Sequence, residues 1–372
     1  MTIQIREVKT KCDLKKFVKF PFSLYKGNKF WVPPIINDEV KTLMPEYNPA
    51  FEQCKAKFWI AYKNEEIVGR IGAIINEAFN EKFGEKIGRF SRLEFIDDHE
   101  VVTELTKTAE NWLKEQGMTK IMGPLGFNNL DHQGMLVEGF DYLPSIASEY
   151  HKSYYREHLE KLGYEKETDW VEFRLTLTDT PVEKANRGAT LIQKRFGIEV
   201  VHFKKMSELL PYSDTIFSIL NDAFSELSFV TPFTPKMIEY YKEKYIKILN
   251  PEFVKMVKLK GEMVGFIIGL PSLSEAMQKA NGKLFPFGFL HIIKDRKGKD
   301  VMDQFLTGVK KDVMSTGAGV VLMAEIQKEM LSKGMKYIET TGIFETNLNA
   351  ISNWKNYEHI QHKRKRCFRK NL

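Results

Sequence analysis

One strand–turn–strand plan occurs twice in this chain, and that repetition constrains the fold more than any other feature. Phe58–Trp59–Ile60–Ala61–Tyr62, a turn at Asn64–Glu65–Glu66, and the run Ile67–Val68–Gly69–Arg70–Ile71–Gly72–Ala73–Ile74–Ile75 make the first copy. Phe253–Val254–Lys255–Met256–Val257, Lys260–Gly261–Glu262 and Met263–Val264–Gly265–Phe266–Ile267–Ile268–Gly269 make the second. β-Branched and aromatic runs separated by two or three turn-forming residues predict hairpins. Both copies put Val-Gly early in the second strand, and the two valines lie 264 − 68 = 196 residues apart. A period of that size means two copies of one domain, not a solenoid of repeats roughly 20–50 residues long. At 372 residues the chain has room for two cores.

Each half continues as alternating helices and strands. Leu105, Ala109 and Leu113 recur at spacings of four, so 103–114 is predicted as an amphipathic helix. A strand is expected over 120–124, and a helix over 155–162 closed by Gly163. Val182, Ala185, Ala189, Ile192 and Phe196 predict a helix joining the halves. The expected fold is α/β: residues 1–180 and 198–372 as tandem domains, 181–197 as a linking helix, each domain a mixed, mostly antiparallel sheet flanked by helices.

Composition narrows the function classes. The chain is 43% apolar and 12% aromatic, which argues for packed cores rather than disorder. Cys12, Cys54 and Cys367 are scattered, with no CxxC spacing, so neither a disulfide nor a metal is expected and a cytoplasmic location is. No apolar run approaches the roughly 20 residues of a membrane span. The net charge of +7 is local: Lys363, Arg364, Lys365, Arg366, Arg369 and Lys370 leave the remainder at 7 − 6 = +1. The tail is read as a solvated terminal strand, and nucleic acid is not expected as a partner. Monomer and homodimer stay open.

The chemistry concentrates at Met314–Ser315–Thr316–Gly317–Ala318–Gly319, expected between a strand over 304–309 and a helix over 320–333. Glycines two apart let backbone approach a bound group, and the helix start offers free N–H groups and a positive dipole end. Such a corner suits a phosphate or diphosphate, although two glycines before a helix also make an ordinary tight turn. Downstream lie a strand over 336–340 and Asn347–Leu348–Asn349–Ala350, with Trp354 beyond. Together these resemble the acyl-CoA-binding core of the GNAT superfamily of N-acyltransferases. The resemblance rests on Val309, Gly317, Gly319, Asn347 and Ala350. It implies that Val309, Met314, Ser315, Thr316, Gly317, Ala318, Gly319, Val320, Asn347 and Trp354 bind acetyl-CoA or a longer acyl-CoA as co-substrate. Met314 stands where that family has Arg or Gln, and Trp354 where it often has an acid Tyr. Tyr357 is the nearest phenol, with Glu345 and Asp303 the other ionisable groups close by in sequence. The first half offers Ile96–Asp97–Asp98–His99–Glu100–Val101 at the corresponding place, where carboxylates would repel a diphosphate.

The first half carries instead a long glycine-rich segment from Gly123 to Pro144, followed by Ser145–Tyr155. Asn128, Asp131, Glu138, Tyr150 and Tyr155 are expected to line the acceptor, and Asp131, His132 or Glu138 to take its proton. The competing reading is a loop whose polar groups satisfy their own backbone. Leu125, Phe127, Asn128, Gly134, Leu136, Val137, Glu138, Gly139, Phe140 and Asp141 resemble the signature of a bacterial group of tandem GNAT proteins, some of them similar to bacterial ceramide synthases. That resemblance implies acyl transfer to an amine, small-molecule or lipid, by direct attack in an inter-domain cleft. A non-catalytic acyl-CoA sensor or scaffold is the alternative. Residues 16–31 are expected to pack as an N-terminal arm, with peripheral contact at the inner membrane face as the other use. Leu284–Ile293 is expected in the core or lining an acyl chain, and Met302, Met314, Met323, Met330 and Met335 as core filler.

Overall fold

The computed structural model describes residues 2–352, 354 and 357–372. The first half runs β1 (Gln4–Glu7), α1 (Lys11–Leu24), α2 (Ile36–Thr42), β2 (Cys54–Lys63), β3 (Glu66–Asn76), α3 (Glu77–Phe83), β4 (Ile87–Phe95) and α4 (His99–Glu115). Then come β5 (Lys120–Gly123), β6 (Met135–Glu138), α5 (Tyr155–Lys161) and β7 (Glu165–Thr176). The second half runs α6 (Asp179–Phe196), β8 (Ile198–His202), α7 (Met206–Leu209), α8 (Ser213–Phe224), α9 (Pro235–Tyr245), β9 (Val254–Leu259) and β10 (Glu262–Pro271). It ends with α10 (Ser274–Ala280), α11 (Gly288–Asp295), β11 (Val301–Val309), α12 (Ala318–Ser332), β12 (Tyr337–Thr340), β13 (Ile343–Phe344), α13 (Leu348–Ser352) and β14 (His359–Asn371).

Both expected hairpins form. Their turn residues Asn64 and Glu65, and Lys260 and Gly261, all have positive φ, which matches the right-handed twist of the flanking strands. In the first unit the strand order is β1-β2-β3-β4-β5-β14; in the second it is β7-β12-β11-β10-β9-β8. Each has one parallel pair, β4–β5 and β11–β12, with the other neighbours antiparallel. Helix α4 buries Leu105, Ala109 and Leu113 with Trp59, Ile71 and Ala73 in the core of the first unit. The helix expected over 181–197 forms as α6 and ends at Gly197 in the left-handed conformation, but it lies inside the second compact unit and does not link the two.

The compact units follow a different course along the chain from the expected 1–180 and 198–372. The first takes in Met1–Val171, Met277–Gly288 and His362–Leu372; the second takes in Glu172–Ala276 and Phe289–Gln361. The chain's end therefore completes the first sheet, Phe368–Asn371 pairing with Gly123–Lys120. This corrects the solvated tail. Lys363, Lys365, Cys367 and Phe368 are buried, and Asp169, 1% exposed, binds Arg364 at 3.2 Å and Arg366 at 2.9 Å. Arg369 pairs with Glu167 and Lys370 with Glu110. A deletion of 362–372 would strip a strand rather than test a binding tail. Asp169→Ala removes the buried carboxylate that Arg364 and Arg366 share and leaves them only the more exposed Glu138 and Glu160, so a urea melt is expected to show about 2 kcal/mol lost stability.

The stretch 16–31 packs as expected: α1 is closed at its start by a Thr10–Asp13 capping box and buries Phe17, Val18 and Phe20. Leu284–Ile293 does not. Phe285, Phe287, Leu290 and Ile293 are exposed, so composition alone misplaced that stretch in the core. Met302, Met330 and Met335 are core residues, but Met314 is 62% exposed.

Candidate functional site

In the second unit β11 and β12 run together only from Val301–Gln304 against Tyr337–Thr340. Beyond Gln304 strand β11 continues to Val309 on the β10 side, while the other chain turns away after Thr341, whose hydroxyl donates to the Gln304 carbonyl at 3.3 Å. Among the described residues no side chain caps the backbone of Leu306–Val309 on the parted side. The parting leads to a short helical turn over Lys311–Thr316 and then to Gly317, where φ is +83°. The N–H groups of Val320 and Val321 turn back on the Gly317 carbonyl at 3.0 and 3.3 Å. Ala318 and Gly319 are left as the first-turn N–H groups without a backbone acceptor among the described residues.

The two glycines do different work. A Cβ on Gly317 would sit 2.9 Å from the Ile192 Cδ1 of α6, so this glycine serves backbone conformation and packing. A Cβ on Gly319 would meet nothing within 4 Å. The open face of the corner is therefore at Gly319. Two lysines stand immediately before it, Lys310 paired with Glu262 and Lys311 with Glu226.

The corresponding opening in the first unit is sealed. Strands β4 and β5 pair only over Ile87–Arg89 and Lys120–Met122. Past them the Phe95 N–H donates to the Tyr155 hydroxyl at 3.1 Å, and the Tyr154 hydroxyl donates to the Phe95 carbonyl at 2.7 Å. The Phe95 and Tyr155 rings stack at 4.3 Å. At the start of α4, Asp98 caps the Glu100 N–H and is bound by Lys63 at 2.8 Å, while Asp97 holds His158 at 2.8 Å. Side chains thus occupy the backbone groups that lie open in the second unit.

Behind that seal lies a buried polar cluster. The Tyr25 and Tyr155 hydroxyls both donate to Glu94 Oε2, at 2.7 and 2.6 Å, and Arg70 stands 4.0 Å from Oε1. Burial pushes the Glu94 carboxyl up to about 7, against the opposing pull of Arg70 and the two phenols. Nearby, Glu149 binds His132 at 3.0 Å and lies 4.0 Å from His151. Burial would raise the Glu149 carboxyl, but the two imidazoles outweigh it and hold it well below the usual range. His151 accepts the Leu136 N–H on Nδ1, and burial pushes its imidazole down to about 4. Burial also disfavours the His132 cation, yet Glu149 outweighs it and the pKa is raised.

Two sequence relatives span almost the whole chain. Protein YghO of Escherichia coli K12 is 29% identical over 377 residues, covering 99% of this chain and 95% of its own. A bacterial ceramide synthase of Caulobacter vibrioides is 28% identical over 355 residues, covering 93% of this chain and 91% of its own. No protein-family model matches. Among solved structures, a tandem GNAT protein from the clavulanic acid biosynthesis pathway superposes over 100% of this chain and 98% of its own, with a TM-score of 0.57 at 11% identity. A probable N-acyltransferase from Enterococcus faecalis V583 matches 100% of this chain and 73% of its own, with a TM-score of 0.54 at 8% identity. The chain has the tandem GNAT fold.

Within the tandem GNAT fold, the residues expected at the coenzyme corner fall on β11, the following turn and the first turn of α12. Asn347 accepts the Ala350 N–H on its Oδ1 at 3.2 Å and so caps α13. Trp354 is buried, with no partner for its indole N–H among the described residues. Tyr357 exchanges a hydrogen bond with Gln327 of α12 at 3.0 Å, and burial raises its phenol. Glu345 is partly exposed.

In the first unit, Asp131 accepts the Phe127 N–H at 2.7 Å and buried Asn128 accepts the Leu130 N–H at 2.9 Å, so both shape their own loop. Glu138 pairs with Arg364 at 3.3 Å. Tyr150 donates to the Phe140 carbonyl at 3.1 Å. Of the expected acceptor and base residues, Tyr155 belongs to the buried cluster, and His132 is partly exposed beside Glu149. Sequence reasoning missed Glu94, Arg70 and Glu149. A signal existed for the first two: opposite charges embedded in the apolar runs of β3 and β4, which the register places directly opposite each other. Cys54 and Cys367 are buried and their thiols are pushed up by burial, Cys54 to about 12, which leaves neither as a ready nucleophile.

Proposed function

We propose that this chain is an N-acyltransferase that moves an acyl group from coenzyme A to an amine. The observation that carries the reading is the contrast between the units: the β11–β12 parting and the Gly319 corner are open, and their counterparts in the first unit are filled by Tyr154, Tyr155 and Asp98. Acyl-CoA, when bound, supplies a thioester carbonyl for the amine to attack, with the C–S bond breaking as the N–C bond forms. The Ala318 and Gly319 N–H groups and the dipole of α12 would hold its diphosphate, beside Lys310 and Lys311. A strand N–H beside Val309 would stabilise the carbonyl oxygen as charge develops on it.

Tyr357, its phenol raised, stays protonated at neutral pH and can donate to the departing sulfur. Trp354 keeps a hydrogen-bond donor, not an acid, at its position. The Caulobacter vibrioides relative's name points to a lipid amine as acceptor and a long-chain acyl group.

A thermal-shift series against CoA esters of increasing chain length tests this reading. Stabilisation that grows with chain length is expected for a long-chain donor, and a flat response would mean acetyl. No shift with any ester would sink the reading. Stabilisation without CoA release across an amine panel would instead mean a non-catalytic sensor.

A further inference from the structure

Four large apolar side chains within nine residues are exposed: Phe285 at 77%, Phe287 at 69%, Leu290 at 50% and Ile293 at 48%. Leu290 and Ile293 are three apart on α11, and Phe285 and Phe287 stand in the segment that leads into it. The stretch is held firmly at its base. Gln278 Nε2 donates to the carbonyls of Lys29 and Trp31 at 2.8 and 3.0 Å, and the Ile36 N–H donates to the Gly282 carbonyl at 3.0 Å. At Gly288 the backbone comes so close to the Lys283 carbonyl that a Cβ would lie 2.0 Å from its oxygen. An apolar tip on an anchored base is a built surface, and solvent alone gives no reason for it.

We propose that this tip docks on the surface of a lipid bilayer bearing anionic headgroups. Charge decides the occupant. Between residues 279 and 297 stand Lys279, Lys283, Lys294, Arg296 and Lys297 against the single acid Asp295, a balance of 5 − 1 = +4. Asp295 is buried and bound to Lys299 at 2.9 Å, so it does not offset the basic surface. A second copy seated on the tip would bring two such basic segments face to face, which repels. An anionic bilayer takes both features: the phenyl rings enter the interface and the lysines reach the headgroups above them. The inference does not depend on acyl transfer and is read by binding alone.

Full-length protein is to be sedimented with vesicles of phosphatidylcholine alone and of phosphatidylcholine mixed with phosphatidylglycerol. Retention on the mixed vesicles is expected, with little on the neutral ones. Phe285→Ser with Phe287→Ser should weaken that retention about tenfold or more, because both rings leave water only in the bound state. Lys283→Glu with Lys294→Glu should weaken it by a similar factor and reduce its dependence on salt. Phe287→Trp supplies a second readout: its emission should shift to the blue on mixed vesicles and be quenched by brominated lipid. Equal retention of wild type and the serine variant, or no retention on mixed vesicles, would overturn the proposal. So would a wild-type dimer in sedimentation velocity that the serine variant turns into monomer without any change on vesicles.

Discussion

Gly319→Glu is expected to abolish the rise in melting temperature that acyl-CoA produces, while leaving the unliganded melting temperature unchanged or slightly higher. Beyond the adjoining backbone of α12 itself, nothing lies within 4 Å of a Cβ at this position, so the new side chain meets no clash. It replaces a glycine inside α12 by a better helix former and puts a carboxylate in the first turn, both mildly favourable. The same carboxylate would stand a few ångströms from a bound diphosphate. Partly screened repulsion of about 2–3 kcal/mol amounts to roughly 30–150-fold in affinity. Gly317→Ala is the contrasting control. Its φ of +83° and the Ile192 methyl at 2.9 Å make any side chain cost about 1–2 kcal/mol of stability. That variant should melt earlier and still respond to acyl-CoA. If Gly319→Glu keeps the full ligand-induced shift, the diphosphate is not bound at this corner.

The contrast between these glycines shows where sequence stops being informative. The hairpins were legible because β-branched runs and turn residues act locally, and the repeat was legible because the same local pattern recurs. The Gly317–Gly319 corner was legible as a motif, but which glycine opens the site depends on Ile192, about 125 residues away in sequence and brought there by packing of α6 on α12. The basic tail misled for a related reason. Alternating lysines and arginines look solvated until Asp169, Glu110 and Glu167 arrive from distant segments to neutralise them. Leu284–Ile293 misled in the opposite direction, since an apolar run reads as core and only the fold shows it held out in solvent. Glu94 and Arg70 were visible as misfits in apolar strands, yet their pairing required the β3–β4 register.

That pairing leads to a prediction in which two large effects hide each other. Glu94 has its carboxyl pushed up to about 7 by burial, against 4.5 for an ordinary glutamate. Between those values the folded chain holds a proton that the unfolded chain has lost, so this residue makes stability fall as pH rises from about 4.5 to 7. His151 does the reverse. Its imidazole is pushed down to about 4 by burial, against 6.5, so the unfolded chain holds the extra proton and stability rises between about 4 and 6.5. Each shift corresponds to about 3 kcal/mol at full amplitude, and the two slopes nearly cancel across their shared window. Glu149, held low, acts below that window, and His132, held high, acts above it. Wild type should therefore show little net slope from these groups between pH 4.5 and 6.5 in urea melts. Glu94→Gln keeps an oxygen for the Tyr25 and Tyr155 hydroxyls and should unmask a stability that climbs with pH. His151→Asn keeps an acceptor for the Leu136 N–H and should unmask one that falls. The double variant should return to a shallow profile, since removing both titrations removes both slopes. Single variants that merely shift the wild-type profile downward in parallel would show that neither group titrates as its burial dictates.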